Sequence, residues 1–160
     1  MAIIFNSGSQ MTQNSATTTV NMANGSVVQV VNQTWGGSLN NSSSGFANTF
    51  SGAITIQNGN YILVEYYMKQ RIDAGNGAWN LCRHQVICNN TSATIFTSGF
   101  NGAQSPTIYQ WQKAAMYNPG GGGTYTFQCS ASGWNGTNAF FPEDGQGFLR
   151  LSEITPGGTI

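Results

Sequence analysis

The chain is 160 residues long, 17.0 kDa, and its five basic and five acidic side chains leave a formal charge of zero. That length suits one domain, which buries roughly 70% of the surface of its extended chain and so needs no covalent staples. Charged residues make up only 6% and form no basic cluster, which argues against nucleic acid as a partner, while 12% aromatic residues argue for a packed globule.

Residues 1–24 are rich in Asn, Ser, Thr and Gln with sparse apolar residues. They read as a polar N-terminal arm that docks on a neighbouring surface or is swapped between subunits. Met1-Ala2-Ile3-Ile4-Phe5 lacks both the basic leader and the apolar length of a signal peptide, so synthesis in a cytoplasm is expected. Residues 25–155 then form the folded domain, and residues 156–160 a short tail. Val27 to Trp35 predicts the first strand of that domain, with Val27, Val31 and Trp35 on one face and Val28 and Val30 on the other. Gly36 to Gly45 predicts a loop, and Phe46 to Phe50 a short strand.

The stretch from Ala53 to Ile72 is the organising one. Two alternating runs flank Asn58-Gly59-Asn60, and Asn-Gly is the dipeptide that best tolerates a tight hairpin turn. Ile62, Val64, Tyr66, Met68 and Ile72 predict a core face. Leu63, Glu65, Tyr67, Lys69 and Arg71 predict a face that meets solvent or a partner. Such a strand cannot hide its apolar side alone, so a second sheet must lie over it. The run Tyr61 to Met68 is too short to cross a membrane and is broken by Glu65, so no membrane partner is expected.

Asp73 to Gly77 predicts a loop, and Trp79 to Cys88 a strand whose second face carries Cys82, His84, Val86 and Cys88. Ala93 to Thr97 continues the pattern. Thr107 to Tyr117 fits strand or helix by pattern, and its neighbours favour strand. Pro119 to Gly123 is a flexible connector. Thr124 to Ala131 places Tyr125, Phe127, Cys129 and Ala131 inward, and Gly147 to Ile154 closes the domain. About eight or nine strands, separated by turn-rich loops, predict an all-β antiparallel sandwich of the jelly-roll kind.

Few residues offer chemistry. His84 is the sole histidine, and Cys82, His84 and Cys88 on one extended strand lie too far apart for a tetrahedral metal site. Cys82 and Cys88 are ~20 Å apart in a continuous strand, beyond disulfide reach, so with Cys129 they read as reduced, buried thiols. Glu143 and Asp144 lie in a Pro/Asp-Gly turn, thin provision for calcium. Glu65 and Asp73 show no spacing that pairs catalytic carboxylates. The Gly120–Gly123 run lacks the Lys-Ser/Thr of a phosphate loop. No catalytic residue, metal or cofactor is expected. Tyr67, Trp79, Tyr109, Trp111, Tyr117 and Trp134 are the candidate aromatics for a subunit interface or for stacking on a ligand, with the core as the alternative home. Zero net charge gives little protection against association and fits an assembled protein.

The run Gly25-Ser26-Val27-Val28-Gln29-Val30-Val31-Asn32, a Ser-rich loop, Ala53-Ile54-Thr55-Ile56 and Tyr61-Ile62-Leu63-Val64 resembles the opening of small C1q/TNF-like jelly-roll domains. Thr124-Tyr125-Thr126-Phe127-Gln128 and Phe148-Leu149-Arg150-Leu151-Ser152-Glu153-Ile154 resemble their ending. Such domains occur in virion proteins of tailed bacteriophages, including cyanophages and marine phages. The resemblance implies a homotrimeric, non-enzymatic knob on the virion surface. The expectation that follows is a protein that decorates or cements the capsid beside other virion proteins such as the major capsid protein. The alternative it implies is a tail-fibre or receptor-binding tip that contacts a host surface glycan or protein. Only an arm, and no long shaft, precedes the domain, which favours the capsid.

Overall fold

The structure is a computed structural model that describes residues 2–5, 9–14, 17–21, 25–35, 39–41, 45–73, 81–101, 107–132, 138–141 and 147–156. In chain order the strands are β1 (Ala2–Phe5), β2 (Ser9–Asn14), β3 (Thr17–Asn21), β4 (Val27–Trp35), β5 (Leu39–Asn41), β6 (Ala47–Ile56) and β7 (Tyr61–Asp73). They continue as β8 (Leu81–Cys88), β9 (Ala93–Asn101), β10 (Thr107–Tyr117), β11 (Gly123–Ser132), β12 (Asn138–Phe141) and β13 (Gly147–Ile154).

One layer runs β4–β13–β7–β10, and the other β6–β11–β8–β9, with antiparallel pairing throughout. Of these eight strands in chain order, the first lies beside the eighth and the third beside the sixth. In the facing layer the second lies beside the seventh and the fourth beside the fifth. This interleaving is the jelly roll that the alternation predicted. Beyond the end of β13, β12 takes over the same edge of β7 and pairs in turn with β5. The first three strands pair with one another in a separate antiparallel sheet.

Alternation decides what lies between the layers. Ile62, Val64, Tyr66 and Met68 from β7 and Leu149 and Leu151 from β13 project from one sheet and are sealed from solvent. Ile54 and Ile56 from β6, Val86 and Cys88 from β8, and Phe127, Cys129 and Ala131 from β11 project from the other. Each large side chain sealed this way contributes about 1.5–3 kcal/mol. Aromatic rings run across one end of this core. Trp35 stacks on Phe50 at 5.8 Å, Phe50 on Tyr66 at 6.4 Å, and Tyr66 tilts against Phe96 at 5.7 Å. Cys88 and Cys129 are free, buried thiols, as the cysteine spacing predicted; Cys82's side chain lies outside the described residues.

The central hairpin is corrected. β6 and β7 do not pair; they lie in opposite layers. Gln57–Asn60 is a turn closed by Asn60 N–H donating to the Gln57 carbonyl at 3.3 Å, with Gly59 at φ +86°. A positive φ at the third residue alone gives a type II turn, which splays its flanking strands where a primed turn would pair them. Burial favours the splay, because Ile54 and Ile56 can then face Ile62 and Val64 across the core. Phe46 to Phe50 and Ala53 to Ile56, read as separate strands, are one strand, β6. The predicted loop 36–45 contains β5, and β12 lies in the stretch between Ala131 and Gly147, where no strand is predicted. Both short strands are too polar or too brief for alternation to reveal.

A glycine lets the far connector pack on this turn. A Cβ on Gly122 would lie 2.7 Å from the Asn58 backbone nitrogen and 3.1 Å from the Gln57 carbonyl carbon. Gly122→Ala should therefore cost about 1–3 kcal/mol in urea unfolding at unchanged m-value, since backbone rather than a movable side chain stands in the way.

Candidate functional site

Both inner faces are occupied by the core, so what remains to act is the outside. The two outer faces differ sharply. On the β6–β11–β8–β9 sheet the outward positions include Ser51, Ala53, Thr55, Thr124, Thr126, Gln128, Gln85 and Ile87, and several of the polar groups bond within the sheet. Thr55 and Thr124 share a hydroxyl contact at 2.8 Å, Ser130 Oγ donates to Asn48 Oδ1 at 3.0 Å, and Gln128 Nε2 donates to the Phe50 carbonyl at 3.0 Å. Most of that face is polar, and part of it bonds to itself.

The outer face of β4–β13–β7–β10 is built otherwise. Strand register places Val30, Ser152, Leu63 and Met116 in one row, Asn32, Arg150, Glu65 and Ala114 in the next, and Thr34, Phe148, Tyr67 and Gln112 in a third. Three strand spacings by two pleat repeats make this about 14 Å by about 13 Å. Val30 is 47% and Met116 56% exposed, the latter the most exposed large hydrophobic among the described residues. Tyr67 stacks on Phe148 with centroids 5.6 Å apart. At the centre Arg150 Nη1 lies 3.4 Å from Glu65 Oε2, Arg150 Nε donates to Asn32 Oδ1 at 3.2 Å, and the guanidinium sits 5.8 Å from the centre of the Phe148 ring. This face thus joins exposed aliphatic, aromatic and paired charged groups in one small patch.

Of the sequence candidates, Tyr67 lies on this face. Trp111 and Tyr117 point inward from β10 and pack against the core. Trp111 tilts against His84 with centroids 5.1 Å apart, and Tyr117 meets Phe127 edge-on at 5.8 Å with its hydroxyl 2.6 Å from that of Thr91. The side chains of Trp79, Tyr109 and Trp134 lie outside the described residues, as do those of Asp73, Glu143 and Asp144. Sequence reading passed over Phe148, Arg150, Val30 and Met116. The signal was present for the first two: Phe148 and Arg150 alternate with the core residues Leu149 and Leu151, and so had to point outward.

The titratable groups inside the fold serve structure. His84 is buried, with Nδ1 2.9 Å from the Tyr66 hydroxyl across the two layers. Burial lowers the imidazole pKa to about 3 and, helped by Cys129, pushes the Tyr66 phenol well above its usual value. Glu153 is 1% exposed. Its Oε1 accepts from Gln57 N–H and Asn60 Nδ2, both at 2.7 Å, and its Oε2 from Gln29 Nε2 at 2.7 Å. Burial would raise this carboxyl's pKa, but the three donors outweigh it and hold the pKa below the usual range. The carboxylate thus ties β4, β13 and the Gln57–Asn60 turn together. Among the described residues no three of His, Cys, Asp and Glu gather to hold a metal. No helix is long and apolar enough to cross a membrane.

No family model and no curated protein matches the chain. Solved structures do. A T13 IBDV viral particle aligns at 9% identity with a TM-score of 0.46, over 92% of this chain and 39% of that one. Infectious bursal virus derived T=1 particles align at 10% identity and 0.42, over 92% and 40%. An infectious bursal disease virus VP2 subviral particle aligns at 10% and 0.36, over 92% and 42%. The chain spans about two-fifths of the length of these structures, and at such identities and TM-scores the function of this chain must be argued from its own surface.

Proposed function

We propose that this chain is a non-catalytic structural protein of a virion, a self-assembling knob that decorates or cements the capsid, with three copies meeting around an axis. One observation carries the reading: a sandwich whose inner faces are filled still exposes Val30, Met116 and the Tyr67–Phe148 stack around a charge pair on one outer face, while its other outer face is mostly polar. Sister copies cover such a face in a closed assembly. The resemblance of residues 25–154 to phage virion knobs supports the virion setting, and the charge-free residues 1–24 are the element we assign to docking on neighbouring virion proteins.

Cryo-EM of whole particles that carry this chain tests the location. Density for the sandwich over capsid subunits is the expected result. Density confined to a tail tip would overturn capsid decoration and favour the receptor-binding alternative.

A further inference from the structure

The outer face of β4–β13–β7–β10 holds a cation and an anion at its centre, and both stay open to a further partner. Among the described residues Arg150 reaches Asn32 through Nε and Glu65 Oε2 through Nη1, so Nη2 and Glu65 Oε1 face solvent or a partner. Their 3.4 Å separation exceeds the ~2.7–2.9 Å of a well-made charged hydrogen bond. The side chains remain 46% and 29% exposed.

Covering this pair with apolar surface would leave both charges poorly compensated, at a heavy desolvation penalty. Whatever buries the patch must therefore bring an anion for Arg150 and a cation for Glu65 at matched positions. A sister copy does so automatically. Around a rotation axis every copy presents the same row, so Arg150 of each can meet Glu65 of the next in a closed ring of alternating charge. The zero net charge of the chain adds no long-range repulsion between copies. Phe148, stacked on Tyr67 and lying near the guanidinium, limits where Arg150 can point.

We propose that the occupant of this face is a second copy of this chain, and that head-to-tail pairs, Arg150 of each copy on Glu65 of the next, fix the register in which they meet. The inference rests on the self-assembly reading above and adds the residues that set the contact.

The test uses the full chain with Glu65→Arg, Arg150→Glu and the double exchange, compared by sedimentation velocity from 1 to 100 μM. Both positions are surface positions, and circular dichroism checks that each variant keeps its β-signal. Each single reversal should raise the concentration of half-dissociation about tenfold or more, because like charges then meet at the contact. The double exchange should return it to near the starting value. Single variants that associate as the parent does would overturn the proposal, as would a folded double variant that stays apart. In both cases self-assembly itself survives. A parent chain that stays monomeric at 100 μM overturns both readings.

Discussion

Taking the protein from pH 7 to pH 4 should remove about 3 kcal/mol of folding stability through His84 alone. The imidazole is sealed in the core, and burial lowers its pKa from the ordinary 6.5 to about 3. The folded state thus refuses a proton that the unfolded chain accepts. The stability His84 contributes is fully present above pH 6.5 and drains as pH falls from there through about 3, with a limiting slope of about 1.4 kcal/mol per pH unit. Glu153 adds to the loss only at the acid end. Urea midpoints at pH 7, 6, 5 and 4 measure the slope. The control is a Tyr66→Phe/His84→Leu double variant, which removes both polar partners at once and leaves no orphaned hydroxyl. Its midpoint should stay nearly flat between pH 6.5 and 4.5. A flat profile in the parent protein would contradict a buried, neutral imidazole.

Glu153→Gln should destabilise the fold by about 2–4 kcal/mol at pH 7, which lowers the melting temperature of a domain this size by about 4–16 °C. An amide turns an NH₂ group toward donors that need an acceptor, and β13 loses its tie to β4 through Gln29 and to the turn through Gln57 and Asn60. Linkage gives the same carboxylate a signature in acid. Its folded pKa lies below the ordinary value, so its contribution is present above the unfolded pKa near 4.5 and is lost as pH falls through the folded one. The parent should therefore lose stability more steeply below pH 4.5 than the Gln variant does. Equal steepness, measured by calorimetry, would show that the carboxylate is not held by these donors.

The layers of the fold were legible because alternation is a local signal. β4 and β13 have the bounds their patterns predict, and the core face of β7 is buried at Ile62, Val64, Tyr66 and Met68. Which strands lie side by side was not legible. Asn58-Gly59 suits a hairpin, yet the turn is decided by burial of Ile54 and Ile56 opposite Ile62 and Val64, a preference between positions that share no local pattern. The Glu153 tie was hidden for the same reason, since its donors stand 93 to 124 residues away in sequence. Half of the outer face was legible: the mixed set of Leu63, Glu65 and Tyr67 announced a face for solvent or partner. That Phe148, Arg150 and Met116 complete it follows only from the register of β13 and β10 on β7.

Native mass spectrometry of the full chain at 10–50 μM tests most directly whether that face is covered by sister copies. The account predicts a dominant species at three times 17.0 kDa, and a shift to the single 17.0 kDa chain when Leu63→Asp and Met116→Asp place charge in the patch. A parent protein that flies only as one 17.0 kDa chain, folded and with the patch bare, would contradict it.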